Sequence, residues 1–182
     1  MAYEPLEDSY LLAETLKKCF KKYKVKNKDK NIKILDMGAG SGIQAGTCRK
    51  LGFKNILTSD IDKESIKLLK EKGFKAIKSN LFENIKDKYD LIIFNPPYLP
   101  ENKYDKEKDT TGGKEGCETI LKFLKQAKSN LNKNGKILLL FSSLSSLEII
   151  KKEAEDLGYK IKKLSNKKLF FEELYVYELK LK

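Results

Sequence analysis

Apolar residues in this chain follow two patterns. Short, nearly continuous apolar runs alternate with longer stretches in which apolar residues recur every three or four positions. The runs predict buried β-strands, and the longer stretches predict helices with one apolar face. The predicted helices cover residues 8–23, 43 to about 51, 63–72, 117–131 and 144–157. The predicted strands cover residues 32–36, 56–60, 75–78, 89–94, 136–141, 159–164 and 174–181.

The order of these elements predicts an α/β fold. Strands and helices alternate through most of the chain, and parallel strands need such helical crossovers. The sheet should therefore be mostly parallel and covered by helices on both faces. No helix separates the last two strands, so they should pair as an antiparallel hairpin. At 182 residues the chain suits a single domain, residues 1–182, in which residues 1–31 form an N-terminal helix and connector.

Composition indicates where this domain is located and what kind of surface it has. No apolar run approaches the length of a membrane span, and the N-terminus lacks a signal-peptide pattern, so we expect a cytoplasmic protein without membrane contact. The net charge of +12 is carried almost entirely by lysine, since Arg49 is the single arginine. Lysines scattered among glutamates are at least as typical of a solvated surface as of a surface that binds nucleic acid.

The chain contains no histidine, which excludes a histidine general base, a triad with histidine and a histidine-ligated metal. Its cysteines, Cys19, Cys48 and Cys117, are widely spaced and form no Cys-x-x-Cys pair, so neither a zinc site nor a disulfide framework is expected. We therefore expect no metal, and we expect catalysis to rely on positioning.

A glycine-rich loop follows the first predicted strand. Asp36 precedes Gly38, Gly40 and Gly42, and such glycines let a ligand approach backbone amides at the N-terminus of the next helix. Ile43 stands where a dinucleotide-binding fingerprint needs glycine. An acidic residue before Gly-x-Gly-x-Gly instead resembles the first motif of S-adenosylmethionine-dependent methyltransferases. Asp36 would suit the positive charge of that cofactor.

The next two predicted strands end in further candidates for the cofactor. Asp60 lies about twenty residues beyond the glycines, where a ribose hydroxyl pair is expected, and Ile61 would pack on the adenine. Asp62 is better placed to cap the following helix. Asn80 and Leu81 fall where these methyltransferases usually carry an acidic residue and an apolar neighbour around the adenine amine. Asn80 departs from that pattern, but its side-chain oxygen can still accept a hydrogen bond.

The tetrapeptide Asn95-Pro96-Pro97-Tyr98 directly follows the apolar strand 89–94. Two prolines cannot donate ladder hydrogen bonds and each fixes its own φ, so they end the strand and stiffen the segment. The Asn95 amide oxygen and the Pro96 carbonyl could then accept both hydrogens of a planar NH2 group at the ligand-binding edge of the sheet. Tyr98 would pack on that group or plug the end of the strand.

The order of the glycine motif, the acidic second strand and this tetrapeptide resembles methyltransferases that act on amino groups of glutamine, adenine or guanine. Residues 3–9 and 111–116 are similar to motifs of the HemK-type release factor glutamine methyltransferases, in their short archaeal and eukaryotic branch. The resemblance covers nearly the whole chain. It implies one Rossmann-like class I methyltransferase domain with a mostly parallel seven-stranded sheet.

The same resemblance implies a reaction. A methyl group would pass from S-adenosylmethionine, leaving S-adenosylhomocysteine, to the side-chain amide nitrogen of the glutamine in the Gly-Gly-Gln loop of a peptide chain release factor. Asn95, Pro96 and Tyr98 would be catalytic and would bind the substrate together with Pro97, and Asn95 would also touch the cofactor.

Residues near the N-terminus and after the tetrapeptide have roles implied by the resemblance. Asp8 and Ser9 would close over the methionine part of the cofactor, unless they only cap the first helix. Residues 99–116 would form a substrate-side loop, and the stretch 101–116 within it has the character of a mobile lid. Relatives often pair with a small zinc-ribbon activator protein, for which an apolar strand edge around residues 74–77 would be the place.

Three alternatives stay open on the sequence. An RNA or DNA methyltransferase could present an exocyclic base amine to Asn95 in a similar way, although duplex DNA would demand base flipping and a recognition domain. A protein lysine methyltransferase is a second alternative within the protein-directed class. A partner protein that binds the cofactor without catalysis is the third.

Overall fold

The computed structural model describes residues 5–21, 31–100 and 112–182, and these residues form one sheet with helices packed against it. The helices are α1 (Glu7–Lys21), α2 (Ile43–Lys50), α3 (Lys63–Glu71), α4 (Glu118–Ala127) and α5 (Leu147–Asp156), with a 3-10 turn at Lys128–Asn130. The strands are β1 (Ile34–Met37), β2 (Ile56–Asp60), β3 (Lys75–Lys78), β4 (Tyr89–Phe94), β5 (Leu131–Ser142), β6 (Tyr159–Lys168) and β7 (Glu173–Leu181).

The seven strands lie in the order β3-β2-β1-β4-β5-β7-β6. Strands β1 to β5 run parallel, and Ile34 of β1 pairs with both Ile56 and Leu91. Strand β7 pairs antiparallel with β5, where Leu140 lies opposite Val176, and also with β6. The predicted mostly parallel sheet with an antiparallel C-terminal hairpin is confirmed. The strand order reverses at β1 and β4, and that reversal places a ligand crevice at their carboxyl ends.

Strand β4 shows why its sequence is continuously apolar. Leu91 and Ile93 belong to one buried cluster with residues of α1, α2 and α3, whereas Ile92 and Phe94 belong to another with residues of α4 and α5. Alternate side chains of a strand point to opposite faces, and both faces of this sheet are covered. Every second residue therefore packs in a different core, and all four side chains are at most 3% exposed.

Several element boundaries differ from the predictions. The helix predicted over 117–131 ends at Ala127, and Leu131 already belongs to β5, where it pairs with Tyr89. The Asn130 side-chain amide donates to the carbonyls of Ile85 and Asp87, at 3.3 and 2.9 Å, and this stabilises the turn between helix and strand. Helical spacing of apolar residues continues through that turn, so the sequence pattern could not show where the helix stops.

The strand edge predicted around residues 74–77 is apolar only in part. Strand β3 does lie at the edge of the sheet, but Phe74 is buried and its ring lies 4.1 Å beneath the Arg49 guanidinium. Ile77 is 36% exposed, and its neighbours Lys75 and Lys78 are exposed and charged. The prediction of an exposed apolar edge was therefore wrong for Phe74, which fills the core beneath α3.

Residues 22–30 of the predicted connector and 101–111 of the predicted loop lie outside the described residues, as do residues 1–4. Within the described ranges, none of the helices is both long enough and apolar enough to cross a membrane. In the same ranges, no group of three or more cysteine, aspartate or glutamate side chains is arranged to hold a metal ion.

Candidate active site

A cavity of about 390 Å³ opens at the carboxyl ends of β1, β2 and β4. It is lined by most residues that the sequence predicts to bind ligand: Ser9, Asp36, Gly38, Gly40, Asp60, Ile61, Asn80, Leu81, Asn95, Pro96, Pro97 and Tyr98. Gly42 is absent from the lining. Residues far apart in sequence, such as Asp8 and Asn95 at 87 positions, meet at the edge where the parallel strands end.

Gly42 has a structural role at the start of α2. It precedes α2 with a φ of 78°, a left-handed conformation that side chains with a Cβ rarely adopt. A Cβ at this position would lie 2.8 Å from Leu69 Cδ2. Gly42 thus lets α2 begin directly against α3, and its predicted contact with the cofactor stays a prediction.

Two carboxylates hold the glycine loop. Asp36 Oδ2 accepts a hydrogen bond from the Ala45 backbone N–H at 2.8 Å, and Asp60 Oδ2 accepts one from the Gly40 backbone N–H at 2.8 Å. The other Asp60 oxygen accepts from the Asp62 N–H at 2.9 Å. Asp36 of β1 therefore fixes the first turn of α2, and Asp60 of β2 fixes the loop itself at Gly40.

Asp36 is the most electrostatically perturbed carboxyl group of the cavity. It is 2% exposed, and burial raises its pKa to about 7, with the hydrogen bond from Ala45 opposing the rise and the nearby Asp60 carboxylate adding to it. Burial also raises the pKa of Asp60. Among the described residues neither carboxyl forms a salt bridge, and two such neighbouring buried groups favour a positively charged ligand, because its charge would stabilise their ionised forms.

Asp62 caps α3, as predicted. Its Oδ2 accepts hydrogen bonds from both the backbone N–H and the hydroxyl of Ser65 at 3.0 Å. These bonds lower the pKa of Asp62, the backbone bond contributing most. The Asp62 carboxylate is therefore engaged with its own helix, which leaves Asp60 as the better candidate for a ribose contact.

The side of the cavity predicted to bind adenine carries an exposed apolar side chain, Ile61, and a side-chain amide, Asn80. Ile61 is 62% exposed, although it is a large apolar residue. Asn80 Nδ2 donates to Glu83 Oε1 at 3.0 Å, so the amide oxygen points the other way. Leu81 is buried with a φ of 49°, and its carbonyl accepts a hydrogen bond from the Ser79 hydroxyl at 2.7 Å. This arrangement suits a flat ring edged by an amino group.

Asn95 is held by its nitrogen. Its Nδ2 donates to Asp8 Oδ2 at 3.0 Å and lies 3.5 Å from Ser9 Oγ. Its Oδ1 is buried, and among the described residues it has no hydrogen-bond partner. A buried acceptor without a donor costs about 1–3 kcal/mol, so this oxygen is poised to accept a hydrogen from a ligand.

The rest of the tetrapeptide is anchored by β5 and its following loop. Pro96 is buried, and Tyr98 is half-buried and packs against both apolar cores. The Tyr98 carbonyl accepts a hydrogen bond of 2.8 Å from the hydroxyl of Ser145, a fully buried residue that the sequence did not single out. The strand end is thus fixed by side-chain packing and by this bond to its backbone.

Gln44 is a second residue that sequence reasoning missed. It lies in the first turn of α2, is 3% exposed and lines the cavity. Its Nε2 donates to the Ser9 carbonyl at 2.9 Å, while its Oε1 is buried without a partner among the residues described here. A polar residue directly after the glycine loop was the available signal, because the first turn of that helix borders the ligand.

Residues 112–116 of the predicted substrate-side loop pack directly on the tetrapeptide. The Gly112 N–H donates to the Leu99 carbonyl at 2.8 Å. A Cβ on Gly112 would lie 2.7 Å from the Pro97 carbonyl oxygen, and one on Gly116 would lie 2.6 Å from that of Tyr98. The glycines of this motif therefore permit close contact between two backbones.

Comparison with known proteins agrees with this geometry. Residues 8–159 match the family model described as the methyltransferase small domain. The chain is 37% identical to a protein of Methanocaldococcus jannaschii named "Putative protein N5-glutamine methyltransferase", over 96% of this chain and 89% of that relative. It is 40% identical to a release factor glutamine methyltransferase of Borreliella burgdorferi, over 59% of this chain and only 43% of that relative.

A solved structure shares the whole architecture. In the Mtq2–Trm112 complex of E. cuniculi, described as responsible for methylation of the eRF1 translation termination factor, one chain superposes with a TM-score of 0.80 at 22% identity. The match covers 100% of this chain and 99% of that one. The two chains therefore share their fold.

Proposed function

The chain belongs to the methyltransferase small domain family, in which it groups with the HemK-type glutamine methyltransferases, and on that premise we propose its reaction. It transfers a methyl group from S-adenosylmethionine to the side-chain amide nitrogen of the glutamine in the Gly-Gly-Gln loop of a peptide chain release factor. The observation that carries this proposal is the Asn95 amide, whose nitrogen is fixed by Asp8 and whose buried oxygen has no partner among the described residues.

The cavity residues fit S-adenosylmethionine. Asp36, with a pKa raised by burial, would face its positive charge, and Asp60 would accept from its ribose hydroxyls. Ile61 would pack on the adenine, and the Asn80 oxygen would accept from the adenine amine. The bound cofactor supplies an electrophilic methyl group on a sulfonium.

The tetrapeptide performs the positioning that an amide nitrogen needs. Such a nitrogen is a poor nucleophile because its lone pair is delocalised, so the barrier must fall through alignment and electrostatics. Asn95 Oδ1 and the Pro96 carbonyl accept the two amide hydrogens and hold the nitrogen in one orientation. Their partial negative charges stabilise the positive charge that develops on the nitrogen during transfer. The proton that the methylated nitrogen then loses is proposed to pass to solvent water.

A release factor is proposed as substrate because the Borreliella burgdorferi relative is named a release factor glutamine methyltransferase and the E. cuniculi complex is described as methylating eRF1. The same complex motivates a second proposal, that a small partner protein in the manner of Trm112 binds this chain. Its site would be β3, the edge strand, where Ile77 is the exposed apolar residue between two exposed lysines.

Radiolabelled S-adenosylmethionine tests the reaction directly. The enzyme is offered a release factor, its variant with alanine in place of the loop glutamine, and total RNA, each with and without a Trm112-type partner. We expect label in the wild-type factor alone. Label in RNA but not in the factor would replace this proposal with the base-amine alternative, and label in both factors would indicate another acceptor such as lysine.

A matched pair of variants ties the reaction to Asn95. Asn95→Ala should lower kcat on the order of 100-fold, since groups that stabilise transition-state charge have effects of that size. Asn132→Ala is the control, because Asn132 also donates its Nδ2 to an aspartate, Asp90, at 2.7 Å but does not line the cavity. Equal activity of the two variants would contradict the assignment of Asn95.

A further inference from the structure

Asp8 is a buried carboxylate in the first turn of α1. It is 4% exposed, and burying such a group is costly unless its oxygens accept hydrogen bonds. Oδ1 accepts from the Ser9 backbone N–H, and Oδ2 accepts from Asn95 Nδ2 at 3.0 Å. The second bond joins the beginning of the described chain to the end of β4.

A side-chain amide has a donor end and an acceptor end of nearly the same shape, so sterics alone do not decide which end meets a ligand. An ionised carboxylate can only accept. Asp8 therefore favours the orientation in which the Asn95 nitrogen faces α1 and the oxygen is left for the cavity. The Ser9 hydroxyl, 3.5 Å from the same nitrogen, lies on the same side.

We propose that Asp8 is a positioning residue that sets the orientation of the Asn95 amide, so that its oxygen rather than its nitrogen meets the methyl acceptor. This inference rests on the proposed function. The bond is also charge-assisted, which makes it stronger than a neutral one and draws electron density toward Asn95 Oδ1. That oxygen then becomes a better acceptor for the hydrogens of the substrate amide.

A simpler role for Asp8 would be stabilisation of the helix start, where negative charge is favourable. Glu7 shares that first turn but is exposed and does not line the cavity. Glu7→Gln thus removes the same charge from the same turn without touching Asn95. It is the matched control for any effect that comes from the helix dipole.

The kinetic experiment compares Asp8→Ala, Asp8→Asn and Glu7→Gln in methylation of the release factor, with S-adenosylhomocysteine binding by calorimetry and thermal unfolding in parallel. Asp8→Ala should lower kcat about 10- to 100-fold, the size expected for a hydrogen bond to a charged group. Its KM and cofactor affinity should stay near wild type. Asp8→Asn keeps an acceptor oxygen, so its kcat should lie between those of Asp8→Ala and wild type. The kcat of Glu7→Gln should match wild type.

Two kinetic outcomes would overturn the proposal. One is an unchanged kcat in Asp8→Ala. The other is a loss of cofactor affinity with normal kcat at saturation, which would make Asp8 a cofactor ligand only. A fall in kcat that Glu7→Gln reproduces would equally count against it, because the helix start would then be responsible.

The Asn95 side-chain amide signal in a 15N NMR spectrum gives a readout that needs no substrate. Asn95→Ala identifies the signal by removing it. In wild type, one of the two amide protons should be shifted downfield and exchange slowly, and Asp8→Ala should abolish both features. An unchanged signal would refute the Asp8–Asn95 bond even in an active enzyme. If the wild-type protein methylates no release factor, the proposed function fails while this spectrum still tests the bond.

Discussion

The carboxylate of Asp60 accepts a hydrogen bond from the backbone N–H of Gly40 at 2.8 Å. This bond joins the end of β2 to the middle of the glycine loop, 20 positions earlier in the chain. Asp60 therefore shapes the loop as well as facing the place proposed for the ribose. Its substitution should affect the cofactor through both roles.

Asp60→Asn should weaken S-adenosylhomocysteine binding roughly tenfold, the effect of losing about one charge-assisted hydrogen bond. The single amide oxygen of an asparagine can accept from the backbone N–H of Gly40 or from that of Asp62. Its NH2 group would face the other N–H, so one of the two hydrogen bonds is lost. Calorimetric titration measures the change. Asp62→Asn is the control, since the Asp62 Oδ2 accepts from the backbone N–H and the hydroxyl of Ser65 in α3, and it should leave the affinity within about twofold. Unchanged affinity in Asp60→Asn would sink the ribose assignment.

The raised pKa of Asp36 predicts a pH dependence. Its carboxyl has an unfolded value near 3.8 and a folded value of about 7, because burial disfavours the charged form. Its protonation thus stabilises the fold fully below the unfolded value, and the contribution is lost as pH rises toward the folded one. A cationic cofactor favours the carboxylate, so affinity should increase with pH up to about 7.

Calorimetry in buffers of different ionisation enthalpy measures the proton released when the cofactor binds at a pH below the raised pKa of Asp36. We expect release in wild type and a clear reduction in Asp36→Asn, whose amide oxygen can still accept from the Ala45 N–H. Equal proton release in both proteins would mean that Asp36 does not respond to the cofactor.

The sequence predicted the order and type of the helices and strands better than it predicted where β5 begins and whether Phe74 is buried. Apolar runs and helical spacing are read locally, and they located β2, β3 and β4 within their true bounds. The start of β5 at Leu131 depends on pairing with Tyr89 across the sheet, which no local pattern contains. Phe74 looked exposed for the same reason, since its burial comes from Arg49 and α3.

The candidate site shows a similar division. Motif spacing located the cavity, because residues at the ends of parallel strands must meet at one edge. It could not show which atoms of those residues are already bonded. That Asn95 is held by its nitrogen, or that Gln44 has an unpartnered oxygen among the described residues, depends on contacts with Asp8 and Ser9 from a distant helix.

Gln44 should contribute to cofactor binding. Its buried Oε1 lines the cavity without a partner in the described part of the chain, so a bound ammonium group would complete its hydrogen bonding. Gln44→Met keeps the length of the side chain and removes the acceptor. S-adenosylhomocysteine affinity should fall about 5- to 10-fold, in line with one hydrogen bond. Thr47→Val, in the same helix but outside the cavity lining, is the control. Equal affinities would exclude Gln44 as a ligand of the cofactor.

Gly112→Ala should impair methyl transfer through the backbone of the tetrapeptide. The added Cβ would lie 2.7 Å from the Pro97 carbonyl oxygen and 2.6 Å from that of Gly116, so one of the two segments must move. A small displacement of a group that positions the substrate lowers the rate strongly, so kcat should fall on the order of tenfold or more. Cofactor affinity should change little, because Gly112 does not line the cavity.

Gly46→Ala is the matched substitution at a position where the added methyl group meets nothing within 4 Å. Position 46 lies inside α2, where alanine is more favourable than glycine. The substitution should therefore stabilise the protein by about 0.5–1 kcal/mol and leave kcat unchanged. Steady-state methylation and urea unfolding of both variants separate the effects. If Gly112→Ala kept the wild-type kcat, the clash would have been relieved by movement of a segment other than the one that contains Pro97. The glycine motif would then not set the geometry of the tetrapeptide.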